Sequence, residues 1–276
     1  EQPVLKGVGM EDAYNVEEMI DKAPYVVEGS FMSTREPHLS IEGCVLQSYF
    51  DKDGVLCIHC KSQCTYSSIG RIGNSLGVPK DKFRIIMNPT GASFGWSTNA
   101  GDLVLAGAGT VCTGRPVSLS MSYEEHQHYS GKRCPAYSNG RLACDKDGKI
   151  IAAEFDVGMD HGAYSWGGDD VMTKPARFTF WPYNVPNVAG LVRVANTNHA
   201  FGTAYRSYGS PQAYTLSEPL MDMMADKLGM DPFEFRYKNI ARPGETNINS
   251  YPFRQYPMEK MMDTMRPLYE KAVAEA

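Results

Sequence analysis

The order of hydrophobic and polar positions predicts two β-hairpins and several single strands. Residues 44–60 and 137–157 share one pattern, in which two apolar runs flank an Asp-Lys-Asp-Gly tetrapeptide. A short polar turn that ends in glycine between two such runs is typical of a hairpin. Further compact apolar segments each predict a single strand: residues 25–31, 83–87, 117–123 and 190–194.

Apolar residues at helical spacing predict helices that begin and end at recognisable residues: 16–22, 65–76, 99–113, 210–228 and 257–275. Asp231, Pro232 and Glu234 predict one more helix, with Asp231 as its N-cap and Glu234 completing a capping box. Residues 124–128 fit a strand end or loop, and residues 166–208 read as rich in loops.

This mixture of hairpins and helices lacks a regular strand–helix alternation and predicts an α+β fold, with mixed hairpin sheets and packed helices. We expect an N-terminal α+β lobe over residues 1–170 and a C-terminal lobe with helices over residues 171–276.

Composition narrows the class of protein. The chain has 276 residues and a net charge of −5, without a Lys/Arg cluster, which disfavours nucleic-acid and anionic-membrane partners. It contains no apolar stretch of about 18 residues, so no transmembrane helix is expected. Seven scattered cysteines, an odd number, indicate reduced thiols and a cytoplasmic location.

Two His/Cys groups invite a metal interpretation that their spacing does not favour. Cys57, His59 and Cys60 fall within one predicted strand, where alternate side chains face opposite ways, and Cys64 follows after it. Buried thiols explain this pattern better than a zinc site, which usually needs two spaced ligand pairs. His126 and His128 lack the helical glutamate of a metalloprotease, so we expect no metal ligand in the chain.

Residues 91–95 match the G-x-S-x-G pattern of serine hydrolases, with Ser93 as nucleophile. Later candidates for the acid and the base follow in the required order: Asp156 or Asp160, then His161 or His199. The flanking residues do not give the strand-to-helix turn that this motif needs. The same glycines would equally suit a loop whose backbone N–H groups approach a ligand's oxygen atoms.

A second loop, residues 204–212, has a similar character and precedes a predicted helix. Arg206 could bind an anion there, aided by the partial positive charge of the helix N-terminus. We expect the backbone around Phe94 and Gly95 and the guanidinium of Arg206 to converge on one concave surface, shaped for an oxygen-rich group.

Together, segments spread over nearly the whole chain resemble the first half of the molybdopterin-binding region of the molybdenum hydroxylases, the xanthine dehydrogenase/aldehyde oxidoreductase family. The motifs that carry the resemblance are residues 36–42, 88–95, 130–133, 160–165, 183–187, 197–200, 204–212 and 227–239. The bacterial aldehyde oxidoreductases that use molybdopterin cytosine dinucleotide are the most similar members. The resemblance implies an oxidoreductase, acting on an aldehyde or a heterocycle, with [2Fe–2S] clusters on other domains or subunits.

The resemblance also implies roles for individual residues. The cofactor-binding set is Gln63, Phe94, Gly95, Tyr205, Arg206 and Ser207, and Tyr208 lines the substrate passage. The family's catalytic glutamate has no counterpart before residue 276. We therefore expect no catalytic residue in this chain, and weak cofactor binding without the remaining half of the molybdopterin-binding region.

Two departures from the family pattern leave a further alternative open. Tyr205 and Ser207 replace the usual Phe and Gly beside Arg206. Ser97 and Thr98 stand where purine-oxidising members carry Lys and Glu, which favours aldehydes over xanthine. A degenerate, non-catalytic homologue is the alternative that these replacements suggest.

Overall fold

The computed structural model describes residues 2–6, 14–98, 100–164 and 168–276. Strands in this part of the chain are β1 (Gln2–Lys6), β2 (Tyr25–Ser33), β3 (Val45–Phe50), β4 (Leu56–Cys60), β5 (Phe83–Met87), β6 (Val117–Ser120), β7 (Ala136–Cys144), β8 (Ile150–Gly162) and β9 (Asn187–Asn196). Helices are α1 (Tyr14–Asp21), α2 (Thr65–Leu76), α3 (Gly101–Thr113), α4 (Tyr123–Tyr129), α5 (Gly168–Phe178), α6 (Ser210–Leu228), α7 (Pro232–Asn239) and α8 (Met258–Glu275). The predicted α+β class is confirmed.

The smaller sheet has the order β5-β4-β3-β6, with β4 and β5 parallel and the other pairs antiparallel. The predicted β3–β4 hairpin is confirmed, and its turn is closed by Asp51, whose Oδ1 accepts the N–H groups of Asp53 and Val55 at 2.9 Å each. Helices α2 and α3 cover one face and enclose a core that includes Leu56, Ile58 and Leu103.

The larger sheet has the order β1-β9-β8-β7-β2. Its β7–β8 hairpin, also predicted, repeats the same turn, with Asp145 Oδ1 accepting from Asp147 and Lys149. Strands β8 and β9 run parallel, although they lie on either side of residue 170. The division into two lobes there stays a prediction.

Helix α6 forms most of the core that covers this larger sheet. Leu216, Leu220, Met221 and Met224 are all fully buried in this core, whereas Met223 of the same helix is exposed. The helix ends at Gly229, whose left-handed backbone (φ +62°) suits glycine. No helix in the described residues is long and apolar enough to cross a membrane.

Two helices, α4 and α5, and the end of strand β6 differ from the sequence prediction. Residues 124–128, predicted as a strand end or loop, belong to α4, because Ser122 and Glu125 form a reciprocal capping box that starts the helix. Strand β6 consequently ends at Ser120. Helix α5 occupies part of the segment predicted as loops. It is stabilised by the burial of Val171 and Ala176, and the sequence did not predict it because Pro175 lies inside the helix.

At α7 the predicted capping box is half formed. Asp231 Oδ1 accepts the N–H groups of Phe233 (2.8 Å) and Glu234 (3.0 Å). The Glu234 carboxylate pairs instead with Arg266 on α8, which ties the last helix to α7.

Leu220→Ala should test the core under α6. Leu220 is fully buried, so the cavity and the lost burial should lower the free energy of unfolding by about 2–5 kcal/mol. Met223→Ala on the same helix is the control, because Met223 is 39% exposed and its truncation should cost far less. Urea unfolding followed by circular dichroism measures both, and equal losses would contradict this description of the core.

Candidate functional site

Two loops from different sheets meet at the candidate site. The Phe94 loop (residues 91–98) follows β5, and the Arg206 loop (residues 203–209) precedes α6. The backbone N–H of Arg206 donates to the carbonyl oxygen of Phe94 at 2.7 Å. Gly95 has φ +109°, and a Cβ there would collide with the Ala204 carbonyl group. Glycine is therefore required for this close approach of the two backbones.

Left-handed backbone is concentrated in these loops. Phe94 has φ +54° and Ser207 has φ +58°, and Arg206 lies at φ +20° between the allowed regions. Each such non-glycine residue costs on the order of 1–3 kcal/mol, and such strain persists mainly at functional sites. Phe94, Arg206 and Ser207 are also exposed, so the strained backbone presents its groups to solvent.

Ser93 fixes the orientation of the Gln63 side chain. Ser93 Oγ accepts two hydrogen bonds from Ser97, one from its backbone N–H at 2.8 Å and one from its hydroxyl at 2.6 Å. The Ser93 hydroxyl proton therefore donates to Gln63 Oε1, at 2.6 Å. Because Oε1 is the acceptor, the amide nitrogen of the exposed Gln63 presents its two N–H groups elsewhere. Gln63 is thus placed as a hydrogen-bond donor beside the Phe94 loop.

The same hydrogen bonds remove the basis for a serine hydrolase. Within the described residues Ser93, which is 5% exposed, donates to Gln63 and to no histidine. His199 Nδ1 lies 2.5 Å from Asp160 and does form an Asp–His pair, but no hydrogen bond connects that pair to Ser93 in this part of the chain. A serine nucleophile needs an adjacent base, and the hydrolase hypothesis is wrong on this point.

The aromatic residues of the Arg206 loop have different surroundings. Tyr205 is half-buried, with its ring edge-on to His38 at 4.9 Å and under the Arg133 guanidinium at 4.3 Å. Tyr208 packs against the larger core, and its ring lies 5.5 Å from Lys174 Nζ. A role for Tyr208 in lining a substrate passage stays a prediction.

Buried polar side chains support both loops from beneath. His38 Nε2 lies 2.7 Å from the Ala204 carbonyl oxygen, and burial lowers the pKa of this imidazole, so neutral His38 donates through Nε2. Lys61 Nζ donates to the Ala92 carbonyl oxygen at 3.0 Å, and burial lowers its pKa as well. The sequence motifs include Glu36, His38 and Arg133 but did not predict their contacts. Glu36 lies 97 residues from Arg133, and His38 lies 166 residues from Ala204.

The cysteine-rich strand holds free, buried thiols. Cys57 and Cys60 in β4 are both about 1% exposed or less, and burial raises the pKa of Cys60 to about 12. In the described residues, no group of three or more His, Cys, Asp or Glu side chains is placed to hold a metal ion. The thiols of Cys60 and Cys44 contribute to the core of the smaller sheet.

Taken together, the fold and the site define a domain in which loops from two sheets meet and leave the side chains of Gln63, Phe94 and Arg206 exposed. Residues 6–240 match the family model described as a molybdopterin cofactor-binding domain, and the chain belongs to this family.

Its relatives are oxidoreductases. Aldehyde oxidoreductase from Megalodesulfovibrio gigas is 40% identical over 276 residues, which are 100% of this chain and 30% of that protein. The large molybdopterin subunit of nicotinate dehydrogenase from Eubacterium barkeri is 31% identical over 230 residues, 83% of this chain and 54% of that subunit. The solved structure of aldehyde oxidoreductase from Desulfovibrio gigas is similar over 100% of this chain and 30% of its own, with a TM-score of 0.92 and 39% identity.

Gly95→Ala should separate the two loops. The new Cβ would meet the Ala204 carbonyl group at a backbone angle that alanine rarely adopts, so the hydrogen bond between Arg206 N–H and Phe94 should break. Amide exchange at Arg206, followed by mass spectrometry, should accelerate by about 2- to 13-fold, corresponding to the net free energy of one hydrogen bond. Gly70→Ala on α2 is the control, because a Cβ there meets nothing within 4 Å. Unchanged exchange in Gly95→Ala would refute the requirement for glycine.

Asp160 should make the free energy of unfolding depend on pH in the acidic range. Burial alone would raise the pKa of this carboxyl, but hydrogen bonds from Thr197, His199 and Gly162 N–H, with the charge of Arg35, lower it to about 2. The depressed pKa stabilises the folded chain above about pH 4, and this contribution of about 2 kcal/mol is lost as the pH falls to 2.

Urea unfolding at pH 5 and pH 2 measures this loss. In Asp160→Asn the difference between the two pH values should shrink by about 2 kcal/mol. Asp156→Asn is the control, since Asp156 forms a more exposed ion pair with Arg193 and should leave the difference nearly intact. A variant Asp160→Asn with the wild-type pH dependence would contradict the assignment.

Proposed function

We propose that this chain forms one wall of a molybdopterin site in an enzyme that oxidises aldehydes to carboxylates. The observation that carries the proposal is the direct contact between the Phe94 and Arg206 loops, with Arg206 exposed beside it. The 40% identity to an aldehyde oxidoreductase over the full length of this chain supports the substrate class.

The residues present fit an anionic group rich in oxygen atoms. Arg206 is exposed, and among the described residues no carboxylate forms a recorded ion pair with it. The Gln63 amide is held as a donor by Ser93. A guanidinium and fixed N–H groups are the donors that bind phosphate and oxo oxygens best. When bound, a molybdenum–pterin group supplies two-electron oxidation chemistry.

In this proposal the cofactor is held by Gln63, Phe94, Gly95, Tyr205, Arg206 and Ser207. Gln63 offers an amide, and Phe94 and Gly95 offer the backbone of the Phe94 loop beside it. Arg206 supplies the positive charge. Tyr208 lines the passage for the substrate, and the exposed ring of Phe94 offers an apolar surface to it.

The residues after Gly95 favour an aldehyde over a purine. Ser97 is buried and donates to Ser93, and Thr98 Oγ1 donates to the Gly95 carbonyl oxygen at 2.7 Å. Neither offers the carboxylate with which a purine-binding site would hold the ring nitrogens. An aldehyde needs no such partner, since its single carbonyl group is satisfied by a few hydrogen-bond donors.

The proposal places the remaining parts of the enzyme outside this chain, which spans 30% of the length of the M. gigas aldehyde oxidoreductase. They are the rest of the molybdopterin-binding region with its glutamate base, and [2Fe–2S] clusters on other domains or subunits. The cofactor form is molybdopterin cytosine dinucleotide. Seven free cysteines support a cytoplasmic location, where thiols stay reduced.

A chimaera tests the proposal. The matching segment of the M. gigas aldehyde oxidoreductase is replaced by this chain, and molybdenum content and aldehyde oxidation are measured. We expect both to be retained. In the same chimaera Arg206→Ala should lower cofactor affinity by about 10–100-fold, the worth of hydrogen bonds to a charged group. Arg84→Ala, which removes an exposed arginine of β5, is the matched control.

Each outcome of this experiment has a distinct meaning. A folded chimaera without molybdenum would contradict a cofactor-binding role. A chimaera that holds molybdenum but oxidises no aldehyde would favour the degenerate homologue that Tyr205 and Ser207 suggest. The isolated chain should hold far less than one molybdenum per chain, because the other wall of the site is missing from it.

A further inference from the structure

Arg133 is a buried cation that the proposed cofactor contacts do not include. It lies between α4 and β7, its side chain is 8% exposed, and its Nε donates to Glu36 Oε2 at 2.7 Å. The remaining guanidinium nitrogens face the Arg206 loop. Nη1 donates to the Tyr205 carbonyl oxygen at 3.1 Å, and Nη1 and Nη2 both lie 3.4 Å from the Arg206 carbonyl oxygen.

The guanidinium also lies over an aromatic ring of the loop. Its central carbon is 4.3 Å from the centre of the Tyr205 ring, a distance at which a cation is attracted to the aromatic face. A planar fork that hydrogen-bonds two carbonyl groups and lies over a ring is a geometry that lysine cannot reproduce. Arg133 therefore contacts the Arg206 loop in three ways.

Backbone hydrogen bonds hold Arg133 itself in place. The Arg133 N–H donates to the Glu36 carbonyl oxygen at 2.9 Å, so Glu36 binds both the backbone and the side chain. One residue earlier, Lys132 N–H donates to Phe201, and Thr203 N–H donates back to Lys132. The segment before Arg133 thus runs beside the segment that leads into the Arg206 loop.

Charge distribution gives this arrangement a function. Arg133 contacts the backbone of Arg206, but the charges of the two arginines differ in their surroundings. Glu36 neutralises Arg133, whereas Arg206 is exposed and forms no ion pair with the described residues. The carbonyl oxygens of Tyr205 and Arg206 are drawn inward to Arg133. The exposed Arg206 keeps its positive charge available for a bound anion.

We propose that Arg133, with Glu36 as its counter-ion, is the positioning residue for Arg206. It holds the carbonyl groups on the inner side of the Arg206 loop and so fixes the strained backbone from which Arg206 extends. The inference rests on the proposed function for its purpose, which is to place Arg206 for an anionic cofactor. Its structural part can be tested without any cofactor.

Tryptic cleavage after Arg206 in the full chain reports on the order of this loop. Cleavage requires the loop to open, and its rate follows the population of the open form when closing is fast. Arg133→Met removes the fork, the charge and the stacking, so cleavage after Arg206 should accelerate at least about tenfold. Arg133→Lys should fall between Arg133→Met and the wild type, because it keeps only the charge for Glu36.

Controls separate this effect from general unfolding. Cleavage after Lys146, in the exposed turn of the β7–β8 hairpin, should stay at the wild-type rate in every variant. Arg193→Met removes an arginine whose ion pair with Asp156 lies on the larger sheet, and should change neither rate. Glu36→Gln provides a second, milder variant that should accelerate cleavage after Arg206 alone.

The results that would overturn the proposal are specific. A wild-type rate of cleavage after Arg206 in both Arg133→Met and Glu36→Gln would show that Arg133 and Glu36 do not order the Arg206 loop. Equal acceleration at Lys146 would assign Arg133 to general stability. In the chimaera, Arg133→Met should lose molybdenum faster than the parent, and unchanged retention would overturn the link to the cofactor. A parent chimaera without molybdenum would refute the proposed function, and proteolysis would still decide the positioning role.

Discussion

The hydrogen bond between the Arg206 N–H and the Phe94 carbonyl oxygen is the contact on which the site depends. It joins loops that leave two sheets, each with its own core. The contact exists because Gly95 lets the Ala204 carbonyl group lie where a side chain would otherwise be. Every other feature of the site either supports these two loops or extends from them.

Three buried or half-buried cations support the backbone around this contact in the same manner. Each of them donates to two backbone carbonyl groups in loops or at a helix end: Lys61 to Glu42 and Ala92, Lys132 to Gln127 and Ser130, and Arg133 to Tyr205 and Arg206. Buried carbonyl groups without a partner are costly, and loops cannot pair them within a ladder. Long cationic side chains therefore replace the secondary structure that the site's irregular backbone excludes.

How much the sequence predicts depends on the range of the interactions concerned. Both hairpins were predictable because Asp51 and Asp145 close their turns within four residues. Helix α4 was not, since its polar residues 124–128 hide the one buried face that His126 provides. The family motifs indicate the Phe94 and Arg206 loops. The ion pair between Glu36 and Arg133 joins residues 97 positions apart, so no local pattern predicts it.

Ser93 shows how a partner decides what a motif means. In residues 91–95 the G-x-S-x-G pattern suggests a nucleophile, yet Ser93 Oγ accepts two hydrogen bonds from Ser97 and donates its own proton to Gln63. A serine nucleophile has to give its proton to a base, and the Gln63 amide oxygen is not a base that can take it. The same bonds make Ser93 well suited to holding an amide in one orientation. In the proposed function, the chemistry at this surface comes from a bound group that Gln63 and Arg206 contact, and the chain supplies its placement.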